Sequence, residues 1–376
     1  MPFLLSWLMI AYAPSIIWIY AGRLLAGFST GMCSVAVPAY IIEIATIRVR
    51  GLLGSFFQIS FSVGVLISMT FVMLFRWSWL AIVGALLATH AVLLTYFIPE
   101  SPSWLLAQGR NSEALESWRF LRGNAVVDSD QMKMESELPK KSISILEFRK
   151  PELYKPIALS IGLVFFQQFS GISALMSYTV EIFERAESSV DPSVAAAIVA
   201  VVQVIATVIA GVLVDKVGRN VLYLLSGIFV TVGLIILGIF GIVSEKFILT
   251  GPVYGSIPLI GFIIFVASFS LGYGPIPYLM TPEFVPMHSR SFVLSIAGVF
   301  SSLFLFIVTK TFDDLRYFVS DYGVYWVYGF FSILGCLFCW LCFPETKYKS
   351  VIQIQQSFKK NLENPNLEGA SINNEF

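Results

Sequence analysis

Long apolar segments recur along the whole chain, and this recurrence constrains the fold more than any other feature. A helix needs about 20 consecutive apolar residues to cross the roughly 30 Å of hydrocarbon in a bilayer. Apolar residues make up 57% of the chain and charged residues 13%, about half of the roughly 25% that soluble domains carry. The sequence therefore predicts an all-α polytopic membrane protein in a lipid bilayer.

The apolar segments form two groups on either side of a long polar stretch. They cover 3–13, 16–42, 52–75, 79–97, 157–180, 194–214, 221–243, 257–280, 292–312 and 324–343. In the polar stretch, Leu115, Trp118 and Leu121 mark one face of a short amphipathic helix. The pattern predicts an incomplete N-terminal bundle over 1–98, from a partial third span to a sixth, a cytoplasmic loop with short helices over 99–155, a complete six-helix bundle over 156–343 and a polar tail over 344–376.

The two groups repeat the same landmarks. The sequence PAYIIEIATIRVR at 38–50 and the sequence IPYLMTPEFVPMHSR at 276–290 share a proline, a glutamate and an arginine in the same order. The interval from glutamate to arginine is the same in both. A PES sequence at 99–101 and a PET sequence at 344–346 recur at nearly the same separation. These repeats predict a protein built from two similar halves.

The distribution of positive charge predicts the orientation. Most of the 24 Lys and Arg residues fall on one side of the predicted topology, in 48–50, 99–155 and 344–376 among other places. Loops rich in Lys and Arg stay in the cytoplasm. We therefore expect a multi-pass protein of the cell membrane with a cytoplasmic C-terminus.

Neither nucleic acid nor a metal is an expected partner. The net charge is zero, so no basic surface is indicated. Cys336, Cys339 and Cys342 lie at helical spacing in an apolar run, which indicates one stripe of a membrane helix rather than a metal site. We expect no cofactor.

Seven motifs, in order along nearly the whole chain, resemble the sugar porter family of the major facilitator superfamily. They are GRLLAGF at Gly22, PAYIIEIATIRVRG at Pro38, PESPSWL at Pro99, QQFSGIS at Gln167, DKVGR at Asp215, GYGPIPY at Gly272 and PETK at Pro344. Among sugar porters the chain looks most similar to insect facilitated trehalose transporters. The resemblance implies the major facilitator fold of two pseudo-symmetric helix bundles, here with about ten of twelve spans. It also implies a monomer that moves trehalose or a hexose by alternating access.

Three glutamines within apolar segments are candidate sugar ligands. Gln58, Gln167 and Gln168 carry amides whose donors and acceptors match the vicinal hydroxyls of a sugar. The alternative for a glutamine in a membrane helix is a hydrogen bond to another helix. The resemblance places all three at positions where sugar porters contact substrate.

Further candidate ligands depart from the family pattern. Ser173 and Gln203 stand where an Asn is common, and Tyr278 replaces a Trp. Ser301 and Ser302 occupy the place of an Asn and Trp pair. Most of these changes shrink the side chain, which predicts a wider pocket that accepts a different or bulkier sugar or has lost tight binding.

Charges at the predicted cytoplasmic helix ends are candidates for a gate between the halves. The six are Glu43, Arg50, Asp215, Arg219, Glu283 and Arg290. The resemblance implies that they hold the halves together when that side is closed, and that opening breaks their ion pairs. The alternative is that they are ordinary helix-end charges, each of little energetic value.

Glycines and prolines within the apolar segment 257–280 predict a hinge next to the sugar site. Gly272, Gly274, Pro275 and Pro277 interrupt a helix at membrane depth, which is tolerated only where the backbone is buried in protein or lines a cavity. A simple proline kink is the alternative.

The mid-span residues favour facilitated diffusion. No Asp or Glu lies in mid-span, and the titratable candidates there are His90 and Arg23. Proton-coupled sugar porters carry an acid in a first span that is not among these segments, so coupling stays open. A non-transporting sugar sensor is the alternative function. An enzyme is not expected, because no nucleophile stands with a base and no metal-ligand cluster is evident.

Overall fold

The computed structural model describes residues 1–45, 50–122, 151–186, 190–246, 252–285 and 289–343. We number the helices of these residues α1 to α16. In chain order they are α1 (Pro2–Ala11), α2 (Ile16–Ile44), α3 (Arg50–Leu74), α4 (Trp77–Thr95), α5 (Pro102–Ala107), α6 (Asn111–Arg122), α7 (Pro151–Phe169), α8 (Ile172–Ser177), α9 (Thr179–Arg185), α10 (Pro192–Val217), α11 (Arg219–Lys246), α12 (Pro252–Leu271), α13 (Pro275–Glu283), α14 (Arg290–Lys310), α15 (Phe312–Val319) and α16 (Gly323–Cys342).

Hydropathy and length together account for the membrane architecture. Within the described residues, eight helical stretches are long and apolar enough to cross a membrane. They lie in α2, α3, α4, α10, α11, α12 with α13, α14 and α16. Large exposed side chains on these helices, such as Leu24 and Trp340, suit contact with lipid. The prediction of an all-α polytopic protein is confirmed.

The span predicted over 157–180 is broken into separate helices in the structure. Helix α7 ends at Phe169, and the short helices α8 and α9 follow it. Gly171 lies between α7 and α8 and has a φ of 85°, a left-handed conformation that glycine adopts without steric cost. The ring of Tyr328 occupies the space that a Cβ at Gly171 would need. Glycine is therefore required at this break.

A second break separates α12 from α13 within one crossing. Helix α12 ends at Leu271 and α13 begins at Pro275. Pro275 and Pro277 have no N–H to donate to the carbonyls four residues earlier, so two helical hydrogen bonds across 272–274 are missing. The three residues of the turn are buried, as an irregular backbone at this depth requires. Whether the turn works as a hinge stays a prediction.

The second half contains the main apolar core. Tyr273 and Tyr223 stack there with their ring centroids 4.3 Å apart and their planes 15° apart. Phe262, Phe265 and Phe284 are fully buried around them. This packing fixes the turn at 272–274 inside the bundle.

The two halves contact each other through α3 with α10 and through α2 with α14. In the first contact, the buried hydroxyls of Ser62 and Thr207 are 3.1 Å apart. In the second, a Cβ on Gly298 would lie 3.7 Å from a methyl group of Val35. Gln58 is one helical turn before Ser62 on α3, so it lies close to this contact between the halves.

Helices α5 and α6 pack at the end of the bundle where α2 terminates. The Ser101 hydroxyl accepts from the N–H of Trp104 at 3.4 Å, which caps α5. The Tyr40 hydroxyl donates to the carbonyl of Pro99 at 2.8 Å. Helix α6 has the predicted amphipathic face, with Trp118 only 2% exposed.

Candidate functional site

A polar group brings four of the predicted ligands together, and we call it the Gln168 group. Gln168 and Ser301 are buried, and Ser173 and Tyr278 are half-buried. It consists of Gln168 on α7, Ser173 on α8, Tyr278 on α13 and Ser301 on α14. The Gln168 Nε2 donates to the Ser301 Oγ at 3.3 Å, and the Ser173 hydroxyl donates to the Gln168 Oε1 at 2.6 Å. Ser301 also lies close to the Tyr278 hydroxyl. The two helix breaks bring these side chains together, because α8 and α13 each begin directly after a break.

Hydroxyl and amide groups give the Gln168 group its chemistry. All four side chains are neutral, and each oxygen or nitrogen can exchange its present partner for a sugar hydroxyl. Such a group can recognise a neutral polyhydroxyl ligand without an ionisable side chain. Arg23 and His90 both lie exposed on other helices, outside this group.

Gln167, next in the chain, bonds to the backbone instead. Its Nε2 donates to the carbonyls of Tyr273 at 3.0 Å and of Gly274 at 2.9 Å. Its Oε1 is buried and has no hydrogen-bond partner among the described residues. Gln58 approaches the same turn from the other half, with its Nε2 3.6 Å from where a Gly274 Cβ would lie.

Gln203 lies on α10 at the contact between the halves. It is 3% exposed, and its backbone carbonyl accepts a hydrogen bond from the Thr207 hydroxyl at 2.7 Å. Its side-chain oxygen has no hydrogen-bond partner in the described part of the chain. Ser302, by contrast, lies exposed on α14.

An aromatic cluster that the sequence does not predict flanks the two adjacent glutamines. Phe165 and Phe169 stack with their centroids 4.3 Å apart, and Phe304 meets Phe165 edge-on at 5.2 Å. From the other half, Phe57 lies 5.4 Å from the ring of Tyr278. The FFQQF sequence at 165–169 could have predicted this cluster, because its aromatic residues lie on both sides of the two glutamines at helical spacing.

Two of the six predicted gate residues have described side chains. Glu43 accepts a hydrogen bond from the Ser101 hydroxyl. Arg219 is 8% exposed, and its Nη1 donates to the Val214 carbonyl at 3.5 Å. The side chains of Arg50, Asp215, Glu283 and Arg290 lie outside the described residues. The ion pairs of the gate therefore stay a prediction.

A charged cluster at the opposite end of the second half was not predicted, and we call it the Arg316 cluster. It consists of Glu181, Arg185, Asp313, Arg316 and Asp321. Arg316 lies 3.2 Å from Glu181 on α9 and 2.7 Å from Asp321. Hydrogen bonds from Arg316, and then from Arg185, lower the pKa of the Glu181 carboxyl. The cluster ties α9, which follows the first break, to α15.

The described residues contain no group of three or more His, Cys, Asp or Glu side chains suited to a metal ion. The four cysteines are free.

Comparison with known proteins identifies relatives over most of the chain. A family model described as sugar (and other) transporter matches residues 2–358. The facilitated trehalose transporter Tret1 of Apis mellifera ligustica is 36% identical over 364 residues, which are 95% of this chain and 72% of the bee protein.

Solved structures match the fold as well. The proton:xylose symporter XylE bound to 6-bromo-6-deoxy-D-glucose superposes with a TM-score of 0.78 and 25% identity, covering 95% of this chain and 81% of XylE. The inward-open conformation of XylE from E. coli gives a TM-score of 0.71 and 24% identity, over 95% and 80% of the two chains. The fold is therefore more similar to the sugar-bound structure than to the inward-open one.

Proposed function

Because this chain belongs to the sugar transporter family, we propose that it carries trehalose or a hexose across a cell membrane by facilitated diffusion. The Gln168 group is the observation that supports this most strongly. It offers amide and hydroxyl groups from four helices of the second half at membrane depth, and a neutral polyhydroxyl ligand needs that set of partners. We assign Gln58 and Gln203 to the same site, since both are buried where the two halves meet.

Facilitated diffusion is favoured over proton coupling by the neutrality of the site. None of the four side chains in the Gln168 group titrates near neutral pH. The bee relative is named a facilitated trehalose transporter, whereas XylE is named a proton:xylose symporter. Both modes therefore occur among the relatives, and the proposal for this chain depends on its own residues. The family match also favours transport over a sugar-sensing role.

The contacts between the two halves support alternating access. Near the end of the bundle that carries Glu43, a Cβ on Gly54 would clash with Leu279 across the two halves. Closer to the middle of α14, Gly298 lies close to α2. The halves are thus tightly packed at this end. We propose that this end is cytoplasmic, and that 1–98 and 156–343 rock against each other as two bundles.

The predicted gate and hinge belong to this proposal. We assign Glu43, Arg50, Asp215, Arg219, Glu283 and Arg290 to a gate that opens when the halves separate. We assign Gly272, Gly274, Pro275 and Pro277 to a hinge at which α13 moves relative to α12. The chain is proposed to work as a monomer in the bilayer.

Uptake by the purified chain in liposomes tests the function. We expect uptake of labelled trehalose or glucose that saturates with concentration and does not change when a protonophore collapses the pH gradient. Gln168→Ala should reduce this uptake at least about tenfold, since it removes two hydrogen-bonding atoms from the site. Gln108→Ala, which removes the same amide at the exposed end of α5, is the matched control and should transport normally. Normal uptake in Gln168→Ala would contradict the proposed site.

A further inference from the structure

We propose that Arg316 is a positioning residue for the sugar site, although it lies at the end of the second half opposite the predicted gate. Its ion pairs fix α9 against α15, and α9 in turn keeps Ser173 on α8 in place beside Gln168. The inference rests on the proposed function, and it gives the Arg316 cluster a part in the affinity for sugar.

Arg316 is the most buried charge of the cluster, with a side chain that is 10% exposed. Its Nη1 lies 3.2 Å from Glu181 and 3.3 Å from Asp313, and its Nε lies 2.7 Å from Asp321. A guanidinium presents its N–H groups in a fixed fork, so one arginine can hold several carboxylates at once. Without Arg316 these carboxylates would repel each other, and Arg185 would neutralise only part of their charge. The repulsion would separate α9 from α15.

Aromatic contacts extend the same connection towards α8. Tyr178 lies at the junction of α8 and α9, and its ring stacks on that of Phe312 with the centroids 4.7 Å apart and the planes 18° apart. The Tyr178 hydroxyl donates to the Asp313 carboxylate at 3.4 Å. The Arg316 guanidinium lies 5.3 Å from the centre of the Phe312 ring, within the range of a cation–π contact. Helix α15 therefore holds the end of α8 as well as α9.

Helix α8 carries this connection to the sugar site. It has six residues, and Ser173 is the second of them. The Ser173 hydroxyl donates to the Gln168 Oε1 at 2.6 Å, and the Ser177 hydroxyl, one turn later, donates to the Ser173 carbonyl at 2.7 Å. Because α8 is shorter than two helical turns, it moves as one unit. A displacement of Tyr178 at one end of α8 is therefore felt by Ser173 at the other.

The first break explains why α8 needs this support. Helix α7 ends at Phe169, and the left-handed conformation of Gly171 separates it from α8. Helix α8 is thus not a rigid continuation of α7, and contacts with other helices set its orientation. Part of the support comes from the apolar core, in which Ala174 and Leu175 are fully buried. We expect the loss of Arg316 to shift α8 rather than to unfold it.

Uptake kinetics in a double-mutant cycle test the positioning role. We expect Arg316→Gln to raise the KM for sugar about threefold and to leave the maximal rate within about twofold of wild type, since ion pairs at this exposure contribute modestly. In a Ser173→Ala background the same change should alter the KM by less than about 1.5-fold, because the group through which Arg316 acts is already lost. A general loss of structure would raise the KM equally in both backgrounds. That result, or an unchanged KM in Arg316→Gln, would overturn the proposal.

Two further variants complete the test. Arg110→Gln makes the same change in an exposed ion pair with Glu113 beside α6, and it should leave the KM unaltered. Glu181→Gln removes the partner of Arg316 on α9 but leaves Arg316 close to Asp313 and Asp321. It should raise the KM in the same direction by about twofold, again only while Ser173 is present. This milder variant keeps the cycle available if Arg316→Gln does not fold.

Hydrogen–deuterium exchange of the backbone over 172–185 gives a readout independent of transport. Exchange there should be about threefold faster in Arg316→Gln than in wild type, because local opening of α8 and α9 no longer has to break the ion pairs of Arg316. It should be unchanged in Arg110→Gln. Unchanged exchange in Arg316→Gln would overturn the proposal. Absence of uptake by the wild-type chain would instead count against the proposed function, and the exchange measurement would still test whether Arg316 holds α8 and α9.

Discussion

Gln167 and Gln168 are adjacent in the chain, but their side-chain amides have different hydrogen-bond partners. Neighbours on a helix point about 100° apart. One amide therefore faces the turn at 272–274, while the other faces hydroxyls on α8 and α14. The sequence predicts both as polar groups in mid-span, since amides are costly there without a partner. It cannot predict which amide meets backbone, because that depends on the packing of α7 against α13.

Ser301 offers a direct test of the Gln168 group. Its hydroxyl accepts a hydrogen bond from the Gln168 amide, so Ser301→Ala leaves that amide without this partner. We expect the KM for the transported sugar to rise three- to tenfold, which corresponds to about 1 kcal/mol for one hydrogen bond. Uptake kinetics measure the change. Ser302→Ala removes the neighbouring exposed hydroxyl and should leave the KM unaltered; a similar rise in both variants would argue against a specific role for Ser301.

Among the elements, the two broken helices differ in how far the sequence predicts them. Pro275 and Pro277 mark the second break, because proline removes a backbone donor wherever it stands. The first break has no proline, and a glycine within an apolar run is common in membrane helices. Only the contact between Gly171 and Tyr328, more than 150 residues later, requires the break. The Arg316 cluster was missed for the same reason, since its members come from distant segments.

Gly171→Ala tests the first break. An alanine there adopts a positive φ and meets the Tyr328 ring, so we expect the unfolding free energy to fall by more than about 2 kcal/mol. Thermal unfolding in detergent measures the loss. Gly64→Ala is the matched control, because no atom lies within 4 Å of the added Cβ, and it should unfold at or above the wild-type temperature. Equal stability of the two variants would contradict the requirement for glycine at 171.

The Arg316 cluster makes a prediction about pH. The pKa of Glu181 is lowered in the folded protein, so its contribution to stability is present above the unfolded pKa of about 4.3 and is lost as the pH falls through the folded value. The side chain of Glu181 is 38% exposed, which limits the contribution to about 1 kcal/mol or less. Melting temperatures of wild type and Glu181→Gln should differ by a constant amount from pH 7 to about 5. The difference should shrink below about 4.3, and a difference that grows in acid would refute the assignment.

At the scale of the whole molecule, hydropathy and repeated motifs predict most of the architecture. Bilayer thickness fixes the length of each span, and the repeat around 38–50 and 276–290 predicts two similar halves. The pairing of α2 with α14 and of α3 with α10 cannot be predicted from periodicity, because each helix is apolar on nearly every face. Small residues allow the halves to approach closely: Gly298 faces α2, and Gly54 on α3 faces Leu279 on α13.

A reversible cross-link between the halves is the most direct test of sugar transport by alternating access. The Oγ of Ser34 lies 3.8 Å from where a Cβ on Gly298 would be, so cysteines at these two positions are within reach of a disulfide. In a variant that carries both and has Cys33 replaced by serine, we expect oxidation to abolish sugar uptake into liposomes and reduction to restore it. Sugar binding to the oxidised protein should persist. Undiminished uptake by the fully cross-linked protein would contradict a mechanism in which the two halves separate at the contact between α2 and α14.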